Sequence, residues 1–156
     1  MIEISIPSFN NLRLEHIVLD YNGTIALDGD LLTDIQSVLN KLAKLVELHI
    51  LTADTFGKVQ CSIEAVPCTL SILDEQNQAE AKQKYVQNLG SEQTVAIGNG
   101  RNDRLMLKEA ALGIAVIGPE GVAVENIIGA DIVCRCILEA FDLLLNPKRL
   151  IATLRS

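Results

Sequence analysis

Short apolar runs that alternate with longer amphipathic or polar segments constrain this chain more than any other feature. The apolar runs span residues 16–19, 46–52, 66–73, 94–97, 113–118 and 131–133. Strands that alternate with helices in this way form a mainly parallel sheet covered by helices. Sheets buried on both faces are built from aliphatic residues, and aromatic residues make up only 3% of this chain. The sequence therefore predicts a three-layer, Rossmann-like α/β fold with helices on both faces of the sheet.

Local patterns predict the individual elements. Residues 2–6 are typical of an edge strand, residues 8–15 of a loop, and the turn signal at residues 27–30 of a small hairpin flap. Thr33 is predicted to cap a helix, and Gly90 to end a long polar helix over residues 75–89. Further helices are predicted over residues 55–63, 104–111, 121–129 and 137–145, the last stopped by Pro147. The whole chain, 1–156, suits a single domain.

Charge and composition exclude several classes of function. The net charge is −7 and there is no basic block, which argues against a nucleic-acid partner. No apolar run reaches the roughly 18 residues that a membrane crossing requires, and the start lacks the pattern of a signal peptide. Cys134 and Cys136 could be half of a metal site, but reduced thiols are the default. We expect a cytoplasmic protein without a membrane partner.

Polar residues follow several predicted strands at the point where each strand ends. Asp20 and Thr52 end two of the apolar runs, and a polar, glycine-containing segment at residues 98–103 follows a third. The carboxyl ends of parallel strands meet at the edge where ligands bind. Each cluster also has an ordinary explanation: a turn at Asp20, a helix cap at Thr52, and a turn capped by Asn102 or Asp103. A carboxylate at this edge can act as a nucleophile or as a metal ligand.

Neither Lys82 nor the glycine-containing segment at residues 98–103 identifies a function by itself. Lys82 lies on the predicted polar helix, where a solvated lysine is ordinary and Lys84 is an equal candidate from spacing. Residues 98–103 do not match the dinucleotide-binding fingerprint, and the chain has no Walker A loop. The recurrence of polar clusters at strand ends is therefore the stronger observation.

Together and in this order, the clusters resemble the four motifs of the haloacid dehalogenase (HAD) superfamily, which includes the phosphorylation domain of P-type ATPases. The residues that carry the motifs are Asp20-Tyr21-Asn22-Gly23-Thr24, Leu51-Thr52-Ala53-Asp54, Lys82 and Gly98-Asn99-Gly100-Arg101-Asn102-Asp103. Residues 111–116 and 130–133 are similar to the end of those phosphorylation domains. The resemblance runs from residue 16 to about residue 154 and is greatest to a small group of soluble P-type ATPase-like proteins. It implies a HAD fold without a cap domain.

The resemblance implies a nucleophile and a metal site. Asp20 would attack a phosphorus atom and become an aspartyl phosphate. Mg²⁺ would be held by the Asp20 carboxylate, by the backbone carbonyl of Asn22, and by Asn99 or Asp103. The implied activity is that of a Mg²⁺-dependent phosphohydrolase or phosphotransferase.

The resemblance also implies a phosphate-binding set. Thr52 and Lys82 would bind phosphoryl oxygens, with backbone amides around Gly23 and Ala53 as further donors. Asn102 would help to hold these groups in position without contacting the phosphate itself.

Two residues depart from the family pattern. Phosphatases of the superfamily have Asp as general acid and base where this chain has Asn22, and an amide cannot shuttle a proton near neutral pH. General acid–base help is worth about 10²–10⁴-fold, so turnover is expected to be slow. Asn99 stands where the family has a metal-binding Asp, and a neutral amide attracts Mg²⁺ less than a carboxylate does. We therefore expect Mg²⁺ affinity in the high micromolar range or weaker.

The spacing of the motifs limits the activity. The segments from Thr24 to Thr52 and from Thr52 to Lys82 are too short for a cap domain or for the nucleotide-binding domain of a P-type ATPase, which excludes an ion pump. A capless site needs a large substrate or a neighbouring subunit to exclude water. The expected partners are a phosphorylated small molecule or a phosphoprotein, together with further copies of the chain in a homo-oligomer.

A second class of function stays open. Asn22 and Asn99 also suit a catalytically impaired module that binds phosphate or a protein on the same fold. The residues that favour an enzyme are the retained Asp20, Thr52, Lys82 and Asp103.

Overall fold

The computed structural model describes residues 1–53, 58–74 and 76–156. Its strands are β1 (Ile2–Ile6), β2 (Asn10–Leu14), β3 (His16–Asp20), β4 (Ala26–Leu27), β5 (Asp30–Leu31), β6 (Glu47–Thr52), β7 (Thr69–Ile72), β8 (Thr94–Gly98), β9 (Leu112–Val116) and β10 (Ile132–Cys134). Its α-helices are α1 (Ile35–Leu42), α2 (Lys58–Ser62), α3 (Gln78–Leu89), α4 (Arg104–Glu109), α5 (Val124–Gly129), α6 (Ile137–Leu145) and α7 (Pro147–Leu154). Short 3-10 turns cover Ser91–Gln93 and Arg101–Asp103.

A six-stranded sheet in the order β10-β9-β8-β3-β6-β7 forms the centre of the structure. Every pairing in it is parallel, and β3 lies between β8 and β6. His16 of β3 is in register with Glu47 on one side and Thr94 on the other. The predicted parallel α/β fold is confirmed, with β3 at the middle of the sheet.

Side chains of β3 alternate between two apolar layers. Ile17 and Leu19 pack into a large core with α1, α6, α7 and the β1–β2 hairpin. Val18 packs on the opposite face, against α3 and α4. Because side chains two apart on a strand share a face, Asp20 lies on the same face as α3 and α4.

One prediction near the start of the chain was wrong. Residues 8–15 were expected to form a loop, but β2 pairs with β1 in an antiparallel hairpin, because Leu12 and Leu14 alternate into the core. At the other end, α6 covers residues 137–145 and stops before Pro147 as predicted, but Pro147 also begins α7, a helix that was not predicted. A proline there is favourable because its missing N–H would have no partner in the first turn. Leu150 buries α7 against the core.

Several boundaries also differ from the predictions. Thr33 does not cap α1; Asp34 occupies the N-cap position with φ 67° and makes no side-chain capping hydrogen bond. The strand predicted over residues 66–73 is β7, which covers only Thr69–Ile72, since Pro67 has no N–H to donate to a neighbouring strand. Two helices were predicted to start at residues 55 and 75, and both of these positions lie outside the described residues. The helices predicted over 104–111 and 121–129 are shorter than expected, because α4 ends at Glu109 and α5 begins at Val124.

The predicted flap is present as the β4–β5 hairpin. Asp28 and Gly29 form its turn with φ values of 53° and 89°, the combination that a tight two-residue hairpin turn requires. The Tyr21 hydroxyl, which is fully buried, donates to the Gly29 carbonyl at 2.9 Å. Tyr21 therefore fixes the flap beside the end of β3.

None of the helices in the described part of the chain combines the length and the apolar character that a bilayer crossing would demand.

Candidate active site

The carboxyl ends of β3, β6 and β8 meet at a cavity of about 770 Å³. Asp20 is the last residue of β3, Thr52 is the last residue of β6, and Asn99 directly follows β8. The residues that line the cavity are Asp20, Asn22, Asp28, Gly29, Thr52, Ala53, Gln78, Lys82, Asn99, Gly100, Asn102 and Glu120. The polar clusters that the sequence places at separate strand ends thus converge on one cavity.

Lys82 lies between two carboxylates at the floor of this cavity. Its Nζ is 2.6 Å from Asp20 Oδ1 and 2.5 Å from Asp103 Oδ1. Ala79 and Val86, three residues before and four after it, are buried on the same face of α3 and direct Lys82 toward the sheet. Lys82 is 1% exposed whereas Lys84 is exposed, so α3 brings Lys82 and not Lys84 to the site.

The charges of this triad are strongly coupled. Burial lowers the pKa of the Lys82 ammonium, but the Asp20 and Asp103 carboxylates outweigh that effect and raise the pKa above its ordinary value. Burial raises the pKa of the Asp103 carboxyl to about 7; the Asp20 charge adds to this rise and Lys82 opposes it. Above about pH 7, where Asp103 is ionised, one ammonium faces two carboxylates, and the remaining negative charge favours a cation in the cavity.

Thr24 joins Asp20 to Asn99. Its hydroxyl lies 3.0 Å from Asp20 Oδ2 and 3.1 Å from Asn99 Oδ1. The Asn99 amide nitrogen donates to the Gly121 carbonyl at 3.0 Å, which leaves the amide oxygen directed toward the Thr24 hydroxyl. One Asp20 oxygen from β3 and the Asn99 oxygen from the loop after β8 therefore both lie next to this hydroxyl.

These oxygens suit a hard divalent cation such as Mg²⁺. Asp20 and Asn99 offer side-chain oxygens, and Asn22 lines the same cavity. Asp103 uses one carboxylate oxygen for Lys82 and accepts the Gly100 amide at 2.9 Å with the other. Both Asp103 carboxylate oxygens are thus engaged with other groups of the chain, whereas the Asn99 amide oxygen faces the Thr24 hydroxyl.

Gly23 allows the first and fourth motifs to approach closely. Its φ is 80°, and a Cβ at this position would lie 2.5 Å from Asn99 Nδ2 and 2.6 Å from Glu120 Oε2. Any side chain there would collide with both groups. The same contacts place the Glu120 carboxylate beside Asn99, on the loop that follows β9.

Glu120 was not identified from the sequence. The signal that could have found it is its position shortly after a parallel strand, at the edge where the other clusters lie. It brings a carboxylate to the neighbourhood of the neutral Asn99 amide.

The outer part of the site is held by amide side chains. Asn102 donates to Gln78 Oε1 at 2.6 Å and so connects the loop after β8 to the start of α3. Asn126 of α5, which is fully buried, donates to the Gly100 carbonyl at 2.8 Å. Ala53 lines the cavity directly after Thr52, whereas Asp54 of the second motif lies outside the described residues.

Solved structures of similar fold cover most of this chain. The 3-deoxy-D-manno-octulosonate 8-phosphate phosphatase of Moraxella catarrhalis, solved with a magnesium ion, a phosphate ion and KDO, aligns with a TM-score of 0.70 over 90% of this chain and 92% of that chain, at 18% identity. The cobalt-bound form of the Haemophilus influenzae enzyme (YrbI) aligns with a TM-score of 0.72 over 92% and 94%, at 13% identity. A protein of Legionella pneumophila assigned to HAD subfamily III A aligns with a TM-score of 0.68 over 90% and 86%, at 17% identity.

Sequence comparison finds a nearer relative. The uncharacterized protein MJ0073 of Methanocaldococcus jannaschii is 51% identical over 79 residues, which is 48% of this chain and 85% of that protein. No family model matches the chain. The chain therefore has the Rossmann-like HAD fold and belongs to the same family as this uncharacterized archaeal protein.

Proposed function

We propose that this chain is a Mg²⁺-dependent phosphohydrolase or phosphotransferase that acts through an aspartyl phosphate on Asp20. The observation that carries the proposal is the contact of the Lys82 ammonium with Asp20 and Asp103 at the floor of an open cavity. A carboxylate fixed beside a buried cation, at the carboxyl edge of a parallel sheet, is suited to attack an anionic phosphoryl group. The phosphatases of similar fold add support.

In the proposed reaction, an Asp20 carboxylate oxygen attacks the phosphorus atom and the bond from phosphorus to the leaving oxygen breaks. Lys82 and Thr52 bind the phosphoryl oxygens, with the backbone amides near Gly23 and Ala53 as further donors. Mg²⁺, held by Asp20, Asn99 and the Asn22 carbonyl, would neutralise charge on the phosphoryl group.

The second half of the reaction is the slow one in this proposal. Water, or the hydroxyl of another acceptor, attacks the phosphorus atom, and the bond to Asp20 breaks to release phosphate or a new phosphoester. The water must lose a proton, and Asn22 cannot take it. In this respect the proposed reaction resembles that of P-type ATPases, which also lack Asp at this position and hold a long-lived aspartyl phosphate.

The open cavity bears on the substrate. Between Thr24 and α1 the structure has only the β4–β5 hairpin, so the opening stays accessible. We propose small phosphate monoesters or acyl phosphates as substrates, with a neighbouring copy of the chain closing the site, or a phosphoprotein large enough to close it alone.

Asp20→Asn is expected to reduce phosphate release from acetyl phosphate and phosphomonoesters to background, because the variant lacks the nucleophile. Asp28→Asn is the matched control: it removes another carboxylate that lines the same cavity, at a backbone conformation that Asn tolerates. Phosphate release with and without Mg²⁺ is the measurement. Equal rates for wild type and Asp20→Asn would contradict the proposal.

A binding module without turnover is the second candidate, and the amides at Asn22 and Asn99 favour it. It predicts that wild type releases no phosphate, whereas the double variant Asn22→Asp, Asn99→Asp does. That outcome would assign this chain a phosphate- or protein-binding role on a competent fold.

Mg²⁺ affinity is expected to respond to the carboxylates around Asn99. Asn99→Asp should tighten Mg²⁺ binding about 10-fold or more, because it adds a charged ligand. Glu120→Gln should weaken binding several-fold, and Glu125→Gln, which removes an exposed carboxylate paired with Arg101, should not. Isothermal titration calorimetry measures the affinities of wild type and the three variants; nanomolar binding by wild type would contradict this account.

A further inference from the structure

The amino-terminal edge of the sheet holds a second cluster of side chains that bind metals in other proteins. The chain has two histidines, and both are there: His16 begins β3 and His49 is the third residue of β6. Glu47 begins β6, is in register with His16, and shares a strand face with His49. Asp20 ends β3 four residues after His16, about 13 Å away along the strand, so this cluster is separate from the cavity.

The three possible ligand atoms lie close together. His16 Nδ1 is 3.2 Å from His49 Nε2 and 3.5 Å from Glu47 Oε2, and His49 Nε2 is 4.0 Å from the same oxygen. Tetrahedral zinc with Zn–N and Zn–O bonds of about 2.0–2.2 Å requires ligand atoms roughly 3.3–3.6 Å apart. Among the described residues this is the group of His, Cys, Asp and Glu side chains whose ligand atoms converge in this way. Two of the three separations lie within about 0.1 Å of this range, and the His49–Glu47 separation of 4.0 Å is longer.

The surroundings support a metal site. His49 is buried, and its other ring nitrogen, Nδ1, lies 3.0 Å from the Tyr85 hydroxyl, to which Ser71 also donates at 3.3 Å. A metal-binding histidine commonly has its second ring nitrogen held by such a partner, which fixes the orientation of the ring. Glu47 is exposed, so the cluster is open to solvent on one side.

A hydrogen bond between the two imidazoles accounts for the 3.2 Å contact without a metal. The Glu47 carboxylate at the same place is accounted for either by an ion pair with a protonated imidazole or by a shared metal ion, and metal-binding measurements separate the two. Two imidazoles and one carboxylate favour zinc-class ions over Mg²⁺, which prefers oxygen ligands alone.

We propose that His16, Glu47 and His49 bind one Zn²⁺-class ion at the amino-terminal edge of the sheet, with water as the fourth ligand. The site joins β3 to β6. Through Tyr85 it is also connected to α3, the helix that carries Lys82 one turn earlier.

Equilibrium dialysis against Zn²⁺ in excess Mg²⁺, followed by elemental analysis, tests the site. Wild type and Asp20→Asn are both expected to retain one Zn²⁺ per chain, because the cavity does not take part.

Glu47→Gln and His16→Gln should each weaken binding at least 10-fold. Tyr85→Phe removes the partner of His49 and should cost about 10–100-fold. Glu15→Gln, an exposed carboxylate next to His16, is the matched control and should bind as wild type does.

Cobalt gives an independent readout. Co²⁺ in the wild-type site should show the strong visible absorption of four-coordinate cobalt, and Glu47→Gln should lose it while keeping the wild-type circular dichroism spectrum. Zn²⁺ retained by a His16→Gln, Glu47→Gln double variant, Zn²⁺ lost in Asp20→Asn, or no Zn²⁺ bound by wild type would each overturn the proposal.

Discussion

Asn22→Asp is expected to raise the rate of phosphate release about 10²–10⁴-fold at saturating Mg²⁺. Asn22 is exposed and lines the cavity two residues after Asp20, where a carboxylate could take a proton from the attacking water. The gain should appear in the hydrolysis of the phospho-enzyme, because that step needs a base. Steady-state phosphate release and single-turnover decay of the phospho-enzyme measure it.

The matched control for this prediction is Asn102→Asp. It places the same new charge in the same cavity, at a residue that contacts Gln78 rather than the reacting groups. A similar gain in both variants would mean that charge alone, through tighter Mg²⁺ binding, is responsible. No gain in Asn22→Asp would show that proton transfer does not limit turnover.

Lys82→Met is expected to lower the free energy of unfolding by about 3–5 kcal/mol, measured by urea denaturation at pH 8 without Mg²⁺. Lys82 is 1% exposed, and its removal leaves Asp20 and Asp103 facing each other without a cation. Lys84→Met, on the exposed side of α3, should change stability by less than about 0.5 kcal/mol. A loss below about 1 kcal/mol in Lys82→Met would contradict the buried triad.

This loss should depend on pH. The Asp103 carboxyl has a pKa of about 7 in the folded protein and an ordinary value of 3.8. Between these pH values the folded state holds a proton that the unfolded chain has lost, so the stability from this group falls as the pH rises toward 7. The effect of Lys82→Met should therefore be larger at pH 8 than at pH 6. Adding Asp103→Asn to Lys82→Met should restore much of the loss at pH 8.

Patterns along the chain predicted the sheet and its edge because the strands are mainly apolar and polar residues end or directly follow β3, β6 and β8. Spacing could not choose between Lys82 and Lys84, which lie two residues apart on a helix with a weak apolar face. The choice depends on which side of α3 packs on the sheet, and only the burial of Ala79 and Val86 decides it. The position of the cavity can therefore be predicted from the sequence more readily than the identity of the lysine that lies in it.

Other features depend on contacts between distant segments. β2 was missed because its polar residues resemble a loop until Leu12 and Leu14 are seen against the core. The histidine cluster was missed because the register of β3 with β6, not local pattern, brings its groups together. Glu120 was missed because it lies on the loop after β9 and its contact with the site depends on how that loop folds back toward Gly23. His16 and His49 are 33 residues apart and meet only because β3 pairs with β6.

Covalent phosphate on Asp20 is the most direct test of the account. Wild-type protein incubated with acetyl phosphate and Mg²⁺, quenched in acid and digested, should yield a peptide containing Asp20 that is heavier by one phosphoryl group. Hydroxylamine should remove the label, since it cleaves acyl phosphates, and Asp20→Asn should never acquire it. Because Asn22 slows hydrolysis, the label should accumulate in wild type and decay faster in Asn22→Asp. An unlabelled Asp20 in wild-type protein, or a label on another residue, would contradict the account.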